Sequence, residues 1–153
     1  MTYLIIILLI IIIIFGLKKL YKKKSESRLK EKKAYEFIKQ NKELFELQKK
    51  FMGEKGTDLD IMPEGIGEFG LQVTNPIPTS TVFGSIAYLN KLKTSDGDNI
   101  EYNRIGSTGA ENISDIIDAY QITKNGEKIG VLYLCPYNKK NSEKAPAGYL
   151  LGS

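Results

Sequence analysis

The chemistry open to this chain is narrow, because it contains no histidine, the commonest general base and the commonest neutral metal ligand. Cys135 is the sole cysteine, so no intrachain disulfide and no thiolate zinc site can form. Set in an apolar run, it reads as a packing residue. A serine activated by lysine is the remaining nucleophilic arrangement, with Ser107 as its serine, and no surrounding motif supports it. Asp96, Asp98 and Glu101 gather oxygens around Gly97, but a calcium loop's third early ligand and its closing carboxylate are missing. Gly106-Ser107-Thr108-Gly109 is small enough to approach a phosphate, yet no lysine closes it, and it reads as a wide loop. The chain is therefore expected to be no enzyme and to carry no cofactor and no metal.

Two constellations remain as binding candidates. Arg104 shares the alternating face of Ile100 and Tyr102, which should be core, and a guanidinium there needs a carboxylate. Asp118, on the face of Tyr120 and Ile122, is the expected mate. The pair is either a structural ion pair or a ligand-anchoring arginine with its brace. The second candidate is Asn75-Pro76-Ile77-Pro78, either a rigid segment or a docking surface for an extended partner through Asn75, Pro76 and Pro78.

The elements that must carry these residues are read as strands. Residues 86–93 and 99–105 flank Ser95-Asp96-Gly97-Asp98 and suggest one hairpin. Residues 119–124 and 128–135 flank Asn125-Gly126, a pair that tolerates positive φ, and suggest another. Ile129, Val131, Tyr133 and Cys135 oppose Leu132 and Leu134, so this last strand is apolar on both faces and should be central. Two prolines exclude residues 71–83 from a central strand. Tyr149 and Leu150 are expected to fold back on the sheet.

Upstream the composition changes. Residues 3–17 are an apolar run with no polar residue from Leu4 to Phe15, ending against Lys18 and Lys19. Such a run has no face to turn to water, and about 17 residues of helix extend about 25 Å, just short of a bilayer's hydrocarbon layer. Tyr3, Leu4, Phe15, Leu17, Lys18 and Lys19 define the expected membrane anchor. A cleaved signal would need a basic start and a small-x-small site, and the sequence has neither. The cations all follow the run, which predicts a single pass through the bacterial cytoplasmic (inner) membrane with the C-terminal domain in the cytoplasm.

Residues 18–55 hold 14 Lys or Arg against 6 Glu, whereas residues 56–153 hold 8 against 12 acidic residues. A basic neck thus precedes an acidic head, and lysines beside an apolar run point to membrane lipid; nucleic acid is not an expected partner. Residues 25–52 lack Gly and Pro and repeat Phe37, Leu44 and Phe51, then Ile38, Phe45 and Met52, at seven-residue spacing. That stripe suggests a helical, coiled-coil-like stalk packed on the head, on a second copy as a homodimer, or on lipid.

The head also resembles a group of small uncharacterised bacterial proteins. The resemblance rests on Asn75-Pro76-Ile77-Pro78, Gly84, Tyr88-Leu89, Leu92, Asp96-Gly97, Arg104-x-Gly106-Ser107, Tyr120, Ile122, Leu132-Tyr133, Tyr137 and Ala145-Pro146-x-Gly148-Tyr149. It spans about residues 67–151 and implies no established activity.

The combined expectation is an α+β chain. It has a transmembrane anchor at 1–21, a basic helical stalk at 22–52, a Gly/Pro-rich connection at 53–84 and a mostly antiparallel β-meander head at 85–153. Its expected role is to present the head as a binding or adaptor module for a protein partner. The alternative is a tethered small-molecule or peptide sensor using Arg104 and the adjacent tyrosines.

Overall fold

The computed structural model describes Glu36, Lys39, residues 41–52 and residues 56–152. The chain divides into two compact units, Met1–Lys42 and Glu43–Ser153. The second unit holds every strand named among the described residues.

Its framework is a mixed four-stranded sheet. Strands β3 (Glu101–Ala110), β4 (Ile113–Lys124) and β5 (Glu127–Cys135) form an antiparallel meander. The short β1 (Ile77–Pro78) joins β5 in parallel, Ile77 opposite Leu134, giving the order β1-β5-β4-β3. A proline strand can occupy only an edge, because it lacks a ladder donor. The β4–β5 turn is Asn125-Gly126, with φ of +53° and +84°. This double positive φ matches the twist of the flanking strands. A second, two-stranded sheet pairs β2 (Leu92–Thr94) with β6 (Tyr149–Leu151) in antiparallel fashion.

Helix α1 (Lys42–Met52) precedes the sheet and α2 (Thr81–Lys91) runs from β1 to β2. Residues 81, 84, 85, 88 and 89 of α2 are buried, the i, i+3, i+4 spacing of one helical face. Tyr88 and Leu89 from that face meet Ile77, Tyr120, Ile122, Leu132 and Leu134 in the main core, which Phe69 and Leu92 complete. Alternation along β4 and β5 puts Ile117 and Cys135 on the opposite side of the sheet. There they pack with Met62 and Ile113 in a second cluster. From Val131 to Cys135 both faces of β5 are therefore covered, as the apolar sequence of that half requires.

Several expectations are corrected. The expected mostly antiparallel β-meander is instead a mixed sheet, with β1 parallel to β5, and it is accompanied by helix α2. Residues 86–91, read as a strand, belong to α2, and β2 takes β6 as its partner, so the Ser95–Asp98 turn closes only an isolated Lys93–Asn99 bridge. The helical-period signal of α2 overrides the shorter alternation that suggested a strand.

In the stalk region Glu36 and Lys39 are helical, and helix α1 has eleven residues, too short for a sustained coiled coil. Its Leu44, Leu47 and Phe51 are all exposed. The stripe residues Phe37 and Ile38 lie outside the described residues, as do Tyr3, Leu4, Phe15, Leu17, Lys18 and Lys19. Among the described residues no helix is long and apolar enough to cross a membrane. The described residues therefore do not support the transmembrane fold class or the single-pass location in the cytoplasmic membrane.

Candidate functional site

The best-defined polar constellation joins β3 and β4. Arg104 lies opposite Tyr120, Tyr102 opposite Ile122, and Ser107 opposite Asp118. Cross-strand partners share a sheet face, so Arg104, Ser107 and Asp118 all stand on the side of Tyr120 and Ile122. A register shift between Arg104 and Gly106 makes this possible, because Ile105 is an extra residue in the ladder. With an unbroken period of two, Arg104 and Ser107 would point to opposite faces.

The three side chains form a closed triangle. Arg104 Nη2 donates to Asp118 Oδ1 at 2.7 Å. The same nitrogen donates to Ser107 Oγ, and Ser107 Oγ donates to Asp118 Oδ1 at 2.9 Å. The partners differ sharply in exposure: the Asp118 side chain is 6% exposed and that of Arg104 is 48% exposed. Asp118 also faces Leu134, a fully buried core residue. A carboxylate in that position requires the charge and hydrogen bonds it receives. The Asp118 carboxylate holds the Arg104 guanidinium above its ordinary pKa.

Tyr120, opposite Arg104, brings an aromatic pair beside the triangle. Tyr102 and Tyr120 meet edge to face, with ring centroids 6.2 Å apart. Tyr102 Oη donates to Asn90 Oδ1 at 2.8 Å, tying β3 to the end of α2. Burial first and the Asp118 charge second push the Tyr120 hydroxyl up to about 12. Burial similarly raises Tyr137, with Asp118 adding to the effect. Burial pushes the Cys135 thiol up to about 11, so it stays protonated and unreactive at neutral pH.

The other candidates lie elsewhere. Pro76 and Pro78 are fully buried, and β1 is at the sheet edge opposite β3. Asn75 donates from Nδ2 to the Gly67 carbonyl at 2.8 Å, while the Gly70 N–H donates to the Asn75 carbonyl at 2.7 Å. The segment thus pins the irregular 65–75 stretch to the sheet. Asp98 and Asp96 lie 2.9 and 3.5 Å from Lys124 Nζ. Among the described residues no cluster of three or more His, Cys, Asp or Glu side chains is placed to hold a metal. Residues 106–109, read as a wide loop, are strand residues of β3.

Sequence reasoning paired Arg104 with Asp118 but missed Ser107 as the third member. Its signal was Gly106, since a glycine inside a strand commonly marks a bulge. No family model, curated protein or solved structure matches the chain.

Proposed function

We propose that this chain is a binding module for another protein, which it holds as an extended strand added along the outer edge of β3, and that it acts without catalysis. The supporting observation is that β3 ends the sheet order β1-β5-β4-β3 and is ten residues long. Each strand edge carries a row of backbone donors and acceptors. On β3 only β4 pairs with them among the described residues, which leaves the outer row free for another chain. Two register irregularities, at Arg104/Gly106 and Thr108/Ala110, interrupt that edge. Such bulges discourage indiscriminate edge pairing and leave short regular segments for a fitted partner. Main-chain hydrogen bonds would supply the affinity and alternate side chains the selectivity.

Peptides selected from a random twelve-residue display library, using the full chain as bait, test this reading by amide hydrogen exchange. Strand addition protects every second amide between residues 101 and 110, the set pointing away from β4. Failure to recover any peptide, or protection confined to other residues, refutes the reading. So does protection of the same amides in peptide-free protein that sediments as a dimer, because the edge is then covered by a second copy.

A further inference from the structure

We infer that Arg104 is the receptor for a carboxylate on the strand added at β3, and that Ser107 and Asp118 are the positioning residues that hold its guanidinium in place. The inference rests on the strand-addition reading and names what that strand must carry.

Arg104 is the only charged residue between Asn103 and Ala110. Any charge selectivity along that part of the edge therefore passes through it. A residue laid opposite Arg104 on a neighbouring strand has its Cβ about 5 Å away on the same sheet face. A guanidinium carries five N–H donors in a planar fork. The bonds to Ser107 and Asp118 both leave from Nη2. The donors on Nε and Nη1 have no protein acceptor among the described residues. With half of its side-chain surface exposed, Arg104 can offer them to an incoming group.

Asp118 already balances the positive charge, so a second carboxylate must be attracted more by the cation than it is repelled by the first. Coulomb energy falls as the inverse of distance, and an acceptor about 4 Å from the guanidinium and about 7 Å from Asp118 gains almost twice what it loses. The buried position of Asp118 contributes in a second way. A long arginine normally loses rotamer freedom when it binds, whereas Arg104 is already restrained by two partners.

The carboxylate is that of an Asp or Glu side chain, because a residue paired opposite Arg104 within an added strand turns its side chain to the face of the guanidinium. The full chain is offered two random twelve-residue synthetic libraries that differ only in a free or an amidated C-terminus. Enrichment of Asp or Glu at one position in both libraries supports the side-chain source. Enhanced binding of the free-acid library alone means that a chain terminus is bound and overturns the side-chain assignment. Binding to both with no carboxylate preference overturns the role of Arg104 and leaves strand addition standing. Binding to neither overturns both.

The variant arm uses Arg104→Gln combined with Asp118→Asn, which removes both charges together and leaves no buried carboxylate unpaired. This double variant is expected to lose an acidic preference of up to about fivefold over neutral peptides, the value of an opposite-charge cross-strand pair. An unchanged acidic preference in the double variant refutes the assignment.

Discussion

Arg104 and Ser107 point to the same face of β3 although an odd number of positions separates them, because the bulge at Ile105 takes up the extra residue. The bulge therefore sets which side chains can meet Asp118. Ser107 accepts from Arg104 and donates to Asp118, so it links the exposed guanidinium to the buried carboxylate.

Ser107→Ala is expected to lower stability by about 0.5–1.5 kcal/mol, the usual worth of a hydrogen bond. Because the hydroxyl acts through both partners, its loss and that of Arg104 should not add. A double-mutant cycle with Arg104→Gln in urea denaturation should give a combined loss smaller than the sum. Strict additivity would mean that the triangle does not act as a unit.

Arg104→Gln alone is expected to cost about 1–2 kcal/mol. Arg104 is half exposed, so its own ion pair is screened, and most of the loss comes from leaving the 6%-exposed Asp118 without its cation. Adding Asp118→Asn should restore most of that stability, since the second change removes the buried charge itself. Urea midpoints of the two variants and the wild type decide the matter. A double variant less stable than Arg104→Gln would show that the aspartate is favourable without its partner.

Legibility in the sequence varied with how local each determinant was. The Asn125-Gly126 hairpin was readable because two adjacent residues fix the turn. The central place of β5 was readable because both of its faces are apolar. The Arg104–Asp118 pair followed from charge and alternation, but the alternation also predicted a buried Arg104, and the edge position leaves it half exposed. Helix α2 was missed although its buried positions follow helical spacing. Its first residues lie in a stretch rich in Thr, Ser and Gly that resembles a loop, and its last few can also be read as an alternating strand. The parallel β1–β5 pairing joins residues 57 positions apart, Ile77 and Leu134, and no local pattern announces it.

Gly84→Ala provides a test of how α2 is seated. Alanine is worth about 1 kcal/mol more than glycine inside an unencumbered helix, so propensity alone predicts stabilisation. At this position a Cβ would collide with Asn141 Oδ1. That oxygen accepts from the Ser80 N–H at 2.8 Å, and Asn141 Nδ2 donates to the Gly84 carbonyl at 3.0 Å. The asparagine cannot move without releasing both bonds at the start of the helix. The substitution is therefore expected to destabilise by about 1–3 kcal/mol, the range for overpacking. Thermal unfolding followed by circular dichroism measures the sign, and an increased midpoint would remove the close contact from the account.

Alkaline pH should loosen the fold in two stages. Burial raises the Cys135 thiol to about 11 and, as the larger of its causes, the Tyr120 phenol to about 12; it raises Tyr88 as well. Each is an acid whose charged form the folded state disfavours, so the unfolded chain releases these protons first as pH climbs. Their contribution is complete below the ordinary thiol value of about 8.5 and phenol value of about 10, and is lost as pH rises toward the folded values. The thermal midpoint should thus begin to fall near pH 9 and fall more steeply above about pH 10. Cys135→Ala removes the thiol and should delay the onset to the tyrosine range, leaving the second stage in place. Tyr88 supplies an internal check, because its hydroxyl donates to the Lys144 carbonyl at 2.6 Å and its ionisation would break that bond. Tyrosinate absorbance should lag behind that of the denatured chain and catch up only as the circular dichroism signal collapses. Ionisation of all nine tyrosines at the ordinary phenol value, with the fold intact, would contradict the burial of Tyr88 and Tyr120.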